Sequence, residues 1–220
     1  MSIVIKNLKK SFGELATPVL KGICAEIGSG EFLSITGRSG SGKSTLLYII
    51  STLDPATSGD VLIDGRKISE MDTQEVHRFR NQKMGFVFQF HHLLPELSAL
   101  ENVLMPAIKT GQEQARRGFA LELLGEFGMK DKADRLPSQL SGGEQQRVAI
   151  ARSLVMEPGY LFADEPTGNL DTANGRAAMD FFVRINRERK TTIIYVTHDK
   201  EFAEMATRQI NLVDGQIAGS

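Results

Sequence analysis

The chain has 220 residues, enough for one large domain, or a domain with a small subdomain, around a sizeable core. Its 41% hydrophobic and 24% charged residues exclude disorder, collagen and coiled coil as the main state. The 26 Lys+Arg against 27 Asp+Glu give a net charge of −1, so no basic excess marks a nucleic-acid partner.

Ser2–Leu8 alternates in polarity and Val19–Ile27 is a second candidate strand. Cys24, the single cysteine, excludes an internal disulfide, fits a reducing compartment and reads as a small core residue on that strand. A Gly28-Ser29-Gly30 turn leads to a short apolar strand, Glu31–Thr36, and an apolar helix is expected over Ser44–Leu53. Gly59–Ile63 is a further strand, closed by the hairpin signal Asp64-Gly65. The middle of the chain changes character. Ser98–Lys109, Gln112–Phe127 and Gly143–Glu157 carry apolar residues at helical spacing, punctuated by Gly111, Gly128 and Pro137. Residues 90–158 are therefore expected as a helical subdomain inserted in an α/β body. Tyr160–Ala163 and Thr192–Val196 are near-continuous apolar runs, as in strands buried on both faces of a parallel sheet. Helical patterns follow over Ala173–Arg189 and Asp199–Met205, and Asp214-Gly215 is a last turn. This alternation predicts a doubly wound α/β fold.

Between the third strand and the first helix lies Gly37-Arg38-Ser39-Gly40-Ser41-Gly42-Lys43-Ser44, followed by Thr45. It has the spacing G-x-x-x-x-G-K-[ST]. Glycines let backbone N–H groups turn inward around phosphate oxygens, and the helix opening near Lys43 points its positive end at the same anion. Lys43 reaches the β- and γ-phosphates and the Ser44 hydroxyl can ligate Mg²⁺. Asp164 and Glu165 end an apolar strand. Alone they read equally well as a solvated turn before Pro166. Beside a phosphate loop, Asp164 reads as a carboxylate for Mg²⁺ and Glu165 as the base that orients and deprotonates water. His198 follows the next apolar strand. Three polar motifs thus end strands at one edge of the sheet, where open α/β sheets bind ligands. Ser141-Gly142-Gly143-Glu144 opens a helix with capping-box spacing. A capped helix explains Ser141 and Glu144. The two glycines point further, to uncovered first-turn N–H groups and a second anion site.

With these motifs the chain resembles an ABC-transporter ATPase subunit over essentially its whole length. Gly37–Ser44 matches Walker A, Leu140–Gln145 the signature motif and Tyr160–Asp164 Walker B, with Glu165 as the catalytic carboxylate. Gln89 matches the Q-loop glutamine, Asn169-Leu170-Asp171 the D-loop and His198 the switch histidine. Phe12 stands where the family usually has a tyrosine that stacks on adenine. The resemblance implies an α/β P-loop NTPase core with a mostly parallel sheet, an N-terminal antiparallel β subdomain and the inserted helical subdomain, all in one nucleotide-binding domain over 1–220. It implies ATP and Mg²⁺ as cofactors, with Ser44, Gln89 and Asp164 at the metal. It also implies a head-to-tail homodimer on ATP binding, in which Ser141, Gly142, Gly143 and Glu144 of the second copy complete the site.

The stretch Phe88–Val103, with Gly168–Asp171, resembles a narrower branch, the lipoprotein-releasing (Lol-type) and macrolide-efflux (MacB-type) ATPases. QFHHLLPE is most similar to the lipoprotein-releasing type. Phe90, Leu93 and Leu94 read either as core of the helical subdomain or as a groove for a cytoplasmic helix of a membrane partner. No apolar run reaches the ~18 residues of a membrane span, and Met1–Phe12 lacks the long apolar segment of a signal peptide. The resemblance implies a place on the cytoplasmic face of the inner membrane, peripheral, beneath integral permease subunits and without contact to the transported substrate. Efflux, or a cell-division-type role that regulates a membrane partner without transport, are the alternatives. DNA-repair relatives would need a long inserted coiled coil, and translation-factor relatives two ATPase copies; neither is in this sequence.

Overall fold

In a computed structural model of the chain, residues 2–13 and 17–218 are described. Met1 and Gly219–Ser220, at the ends of the expected 1–220 domain, lie outside them. Ten strands and seven α-helices are formed among these residues.

The first strands are β1 (Ile3–Phe12), β2 (Thr17–Ile27), β4 (Ser58–Ile63) and β5 (Arg66–Lys67), which form an antiparallel sheet in the order β2-β1-β4-β5. Asp64 and Gly65, both with positive φ, make the expected tight turn between β4 and β5. Cys24 lies on β2 but on its exposed face, where its Sγ accepts from the Asn7 N–H at 3.2 Å. The expectation of a core position is thus corrected: alternation along β2 sends Ile23 inward and Cys24 outward.

The larger sheet is made by β3 (Phe32–Gly37), β6 (Met84–Phe88), β7 (Tyr160–Asp164), β8 (Thr192–Val196), β9 (Arg208–Val213) and β10 (Gln216–Ile217). Its order is β10-β9-β3-β8-β7-β6, parallel except for the terminal β9–β10 hairpin. Every residue of β7 and β8 is buried, which explains their unbroken apolar runs. Leu161, Ala163, Ile193 and Tyr195 face one core, shared with helices. Tyr160, Phe162, Ile194 and Val196 face the other, shared with the smaller sheet and with α1 (Lys43–Ile50).

Three helices, α3 (Ala99–Ile108), α4 (Glu113–Glu126) and α5 (Gly142–Leu154), bury their apolar faces on one another and, through α5, on β6. α6 (Thr172–Arg189) covers the same face of the sheet, and the short α7 (Lys200–Glu204) follows β8. Arg189 at the end of α6 donates to Glu126 of α4 at 3.0 Å, which ties this end to the helical layer.

The longer elements outside the sequence expectations are α2 (Thr73–Lys83), β6 and β9. α2 has no fully buried side chain and, of apolar residues, turns only Val76 and Phe79 inward, so its apolar stripe is short, although its Asp72–Glu75 capping box is written in the sequence. β6 begins at the residue after α2 ends, with no turn residues between them.

Candidate functional site

Strand register brings the polar motifs together. Ile35 pairs with Val196, Val196 with Asp164, and Asp164 with Phe88. The chain therefore leaves four neighbouring parallel strands at one level, into the phosphate loop, Thr197-His198, Glu165 and Gln89. Gly37 stands level with Leu212 of β9 on the other side.

The loop from Gly37 to Gly42 is shaped by close approach. Gly37 has φ +143, and a Cβ there would lie 2.2 Å from the Leu212 carbonyl oxygen and 2.7 Å from Ser41 Oγ. Any other residue would push the loop off β9. Arg38, Ser39 and Gly40 are exposed. Gly42 caps α1 in the left-handed conformation, with no side chain bonded to the first-turn N–H groups. No acidic residue lies in that first turn, so the positive helix end is open to an anion. Lys43 Nζ lies over the loop and donates to the carbonyls of Gly37 and Arg38, both at 3.0 Å. Ser41 is buried, and its hydroxyl has no partner among the described residues.

Asp164, 8% exposed, is held by two hydroxyls of α1. Ser44 Oγ donates to Oδ1 at 2.9 Å and the Tyr48 hydroxyl donates to Oδ2 at 2.7 Å. Burial, and then the Asp164 carboxylate, push the Tyr48 phenol up to about 12, so it remains a donor throughout the physiological range. The two candidate metal ligands, Ser44 and Asp164, are thus in direct contact across a sequence gap of 120 residues. Thr45 is half-buried in the first turn of α1.

Glu165 has φ +48, a conformation costing a non-glycine residue about 1–3 kcal/mol. Three bonds hold this turn. The Glu165 N–H donates to the Val196 carbonyl at 3.1 Å, and the Gly168 N–H donates to the Glu165 carbonyl at 3.0 Å. Gln146, 1% exposed on α5, donates to the Pro166 carbonyl at 2.8 Å. The strained turn aims Glu165 Oε2 at His198 Nδ1, 2.7 Å away. His198 itself is exposed, so one face of the pair is open to solvent. Gln89 is placed next to this group. Its side chain lies against Gly168, where an added Cβ would come within 3.0 Å of Nε2, and its carbonyl accepts from Asn169 at 2.9 Å. No hydrogen bond joins Gln89 to Ser44 or Asp164 among the described residues. Phe12 is 46% exposed at the end of β1, with the Lys10 ammonium 4.7 Å from its ring centroid.

Ser141 caps α5 through the expected box: its N–H donates to Glu144 Oε2 at 2.8 Å, and the Glu144 N–H donates to Ser141 Oγ. The Lys132 ammonium, and after it the Ser141 N–H, hold the Glu144 carboxyl down at about 2. The depressed value means that this contribution is present above the usual carboxylate range and lost only as pH falls toward 2. Ser141 and Gly142 are exposed, and neither they nor Glu144 touch the phosphate loop of their own chain in the cleft of about 1020 Å³ beside it. Gly143 has another reason to be glycine than an open first turn. It is buried, and a Cβ would lie 2.6 Å from Asn174 Oδ1. Asn174 cannot swing away freely, because its N–H and its side-chain amide bond the two carboxylate oxygens of Asp171 at 2.9 and 2.7 Å. Overpacking of this kind costs ~1–3 kcal/mol, more than the up to ~1 kcal/mol that alanine gains in a helix. Gly143→Ala is therefore expected to lower stability in urea unfolding, and Asn174→Ala to make the same change neutral or favourable. A Gly143→Ala cost that survives in the Asn174→Ala background would refute the steric account.

The loop after Gln89 is pinned by two inward side chains. Asn102, fully buried, donates to the carbonyls of Leu94, Leu97 and Ser98 and accepts from the Leu94 N–H. Arg152 donates to the carbonyls of His91 and His92, both at 2.7 Å. Leu93 packs on the helical core, whereas Phe90 and Leu94 are 66% and 40% exposed. Beside this loop runs a groove of about 410 Å³ with an apolar floor that includes Met84, Phe86, Phe88 and Met105. Arg80, Lys109 and Arg152 line it with positive charge. Burial lowers the pKa of both arginines, and neither forms an ion pair among the described residues.

Sequence reasoning placed the loop, the carboxylates and the histidine. It missed Tyr48, Gln146 and Asn174. Tyr48 had one local signal, its place one helical turn after Ser44; the other two had none.

Comparison with known proteins gives the family and the fold. A family model described as "ABC transporter" matches residues 20–168. The chain is 53% identical over 215 residues to the lipoprotein-releasing system ATP-binding protein LolD of Leptospira interrogans, covering 98% of this chain and 90% of that protein. The LolD protein of Aquifex aeolicus is 53% identical over 204 residues, covering 91% of this chain and 90% of that one. Among solved structures, the bacterial ABC transporter cassette MJ0796 in its dimeric form superposes with a TM-score of 0.89 at 42% identity, covering 99% of this chain and 97% of that one. The same cassette, dimeric in a post-hydrolysis state with ADP and Pi, gives 0.87 at 40% identity. With its parallel core sheet, separate antiparallel sheet and phosphate loop, this chain belongs to the ABC transporter family, as one of its ATP-hydrolysing cassettes.

Proposed function

We propose that the chain is the Mg²⁺-dependent ATPase subunit of a lipoprotein-releasing transporter, peripheral on the cytoplasmic face of the inner membrane. The observation that carries the reaction is Glu165, held in a strained turn against His198 at the strand edge where the phosphate loop opens. Likeness to the two LolD proteins supports the cargo. The donor set suits a magnesium–nucleotide complex: hard oxygens on Ser44 and Asp164, an unpartnered Ser41 hydroxyl and an uncapped helix end.

In this reading residues 37–45 wrap the phosphates with backbone N–H groups, and Lys43 exchanges the carbonyls of Gly37 and Arg38 for β- and γ-phosphate oxygens. Ser44 and Asp164, with Gln89, hold the metal, which when bound neutralises charge on the phosphates. Glu165 takes the proton of the attacking water. His198, bonded through Nδ1 to Glu165, presents Nε2 to the γ-phosphate. Phe12 stacks on adenine, and Ser141, Gly142, Gly143 and Glu144 of a second copy close the site. The exposure of Ser141 and Gly142, away from their own phosphate loop, supports that assignment. Preplaced donors supply most of the rate, as in other phosphoryl transfers.

The membrane subunit enters at the groove lined by Phe88 and His92, with the exposed Phe90 and Leu94 on the loop that follows Phe88 and residues 90–158 acting as the lobe that moves with it. Phe88 immediately precedes Gln89, so a helix seated there is linked to the metal site. No helix among the described residues is long and apolar enough to cross a membrane, which accords with spans carried by the partner.

Capture of the partner tests this reading. Tagged Glu165→Gln protein, given ATP and Mg²⁺ in gently solubilised native membranes, is expected to retain an integral membrane protein with a large periplasmic domain and bound lipoprotein. Recovery of an outer-membrane channel instead would replace lipoprotein release by efflux. An ATP-trapped dimer with no membrane protein would move the function to regulation.

A further inference from the structure

The phosphate-loop helix carries a polar group that none of the assigned roles uses. Tyr48 stands four residues after Ser44, so both side chains leave the same face of α1. They meet the two oxygens of one carboxylate, Ser44 at Oδ1 and Tyr48 at Oδ2 of Asp164, at 2.9 and 2.7 Å. Asp164 is buried, and rotation of its carboxylate plane would break both bonds. Of the two donors, Ser44 also serves as a ligand, and Tyr48 is left to hold the plane.

We propose that Tyr48 is a positioning residue for the metal site: its phenol fixes the Asp164 carboxylate so that Oδ1 faces the Ser44 hydroxyl. The inference rests on the Mg²⁺ reading above. Tyr48 itself is placed on Oδ2, and it acts through Asp164. Partners of this kind, bonded to a ligating carboxylate, typically change metal affinity by ~10–100-fold. The phenol is suited to the task. A neutral phenol donates to the carboxylate without adding a second negative charge beside it.

The test is Mn²⁺ affinity, read by electron paramagnetic resonance from the free aqua ion. Glu165→Gln is the parent protein, so that ATP is not consumed, and Tyr48→Phe is added to it. ATP without protein sets the baseline. Tyr160→Phe is the matched control. It removes another buried phenol–carboxylate bond, to Asp64, at the opposite end of β7 from Asp164. Tyr48→Phe is expected to weaken Mn²⁺ by about tenfold or more. Tyr160→Phe is expected to stay within about twofold of the parent while lowering the thermal midpoint. Equal affinity in the parent and Tyr48→Phe, or equal weakening by both tyrosine changes, overturns the inference and leaves the metal site standing. A parent protein that takes up no Mn²⁺ beyond the ATP baseline overturns the metal reading itself, and the inference with it.

Discussion

Glu165→Gln is expected to keep nucleotide binding and lose at least ~100-fold in turnover, with an ATP-bound dimer accumulating. The substitution preserves shape and leaves an amide oxygen to accept from His198. The strained backbone at φ +48 is fixed by the Val196, Gly168 and Gln146 bonds, none of which uses the carboxylate. What disappears is proton affinity at the atom facing water, and positioned acid–base groups supply typically 10²–10⁴-fold. Single-turnover hydrolysis and size-exclusion chromatography with ATP measure the two effects. Turnover within a few-fold of wild type would remove Glu165 from the role of base and leave the pair with His198 as a structural contact.

Lys43→Ala carries the other large effect, on binding rather than chemistry. The ammonium stands 3.0 Å from two carbonyls of the loop it follows, so it is already over the cradle when no phosphate competes for it. A hydrogen bond to a charged group is worth ~1.5–3 kcal/mol. Loss of the β- and γ-phosphate contacts together should weaken ATP on the order of 100-fold or more, while the uncapped α1 terminus and the N–H cradle persist. Calorimetry of ATP binding decides. An unchanged affinity would mean that Lys43 serves the loop carbonyls alone. Weakening of ADP as severe as that of ATP would place the lysine on the β-phosphate only.

These two experiments probe parts of the protein that were legible in different ways. Glycine and lysine spacing over 37–44, the S-x-x-E start at Ser141 and the unbroken apolar runs of β7 and β8 are local patterns. The first two are set by backbone conformation within a few residues and the third by burial on both sheet faces, and each shows in a short stretch that could be read without knowing the fold. The same locality explains the failures. α2 has only Val76 and Phe79 as apolar residues, too few for a clear periodic trace, and β6 follows it without a turn signal. Cys24 followed its immediate neighbours into the wrong half of an alternating strand.

The sequence by itself determined which groups were present: a glycine-rich phosphate loop, an Asp-Glu pair and a histidine, each ending a strand or opening a helix. Only the tertiary structure decided how these groups touch. Parallel register, Ile35 to Val196 to Asp164, brings Ser44 and Tyr48 to a carboxylate 120 and 116 residues away and Glu165 to a histidine 33 residues on. It also packs Gly143 against Asn174 and hands the Pro166 carbonyl to Gln146. Such pairs are fixed by side-chain packing between elements distant in the chain. A buried donor must find its acceptor wherever the sheet and helices bring one, and no spacing along the sequence encodes that meeting.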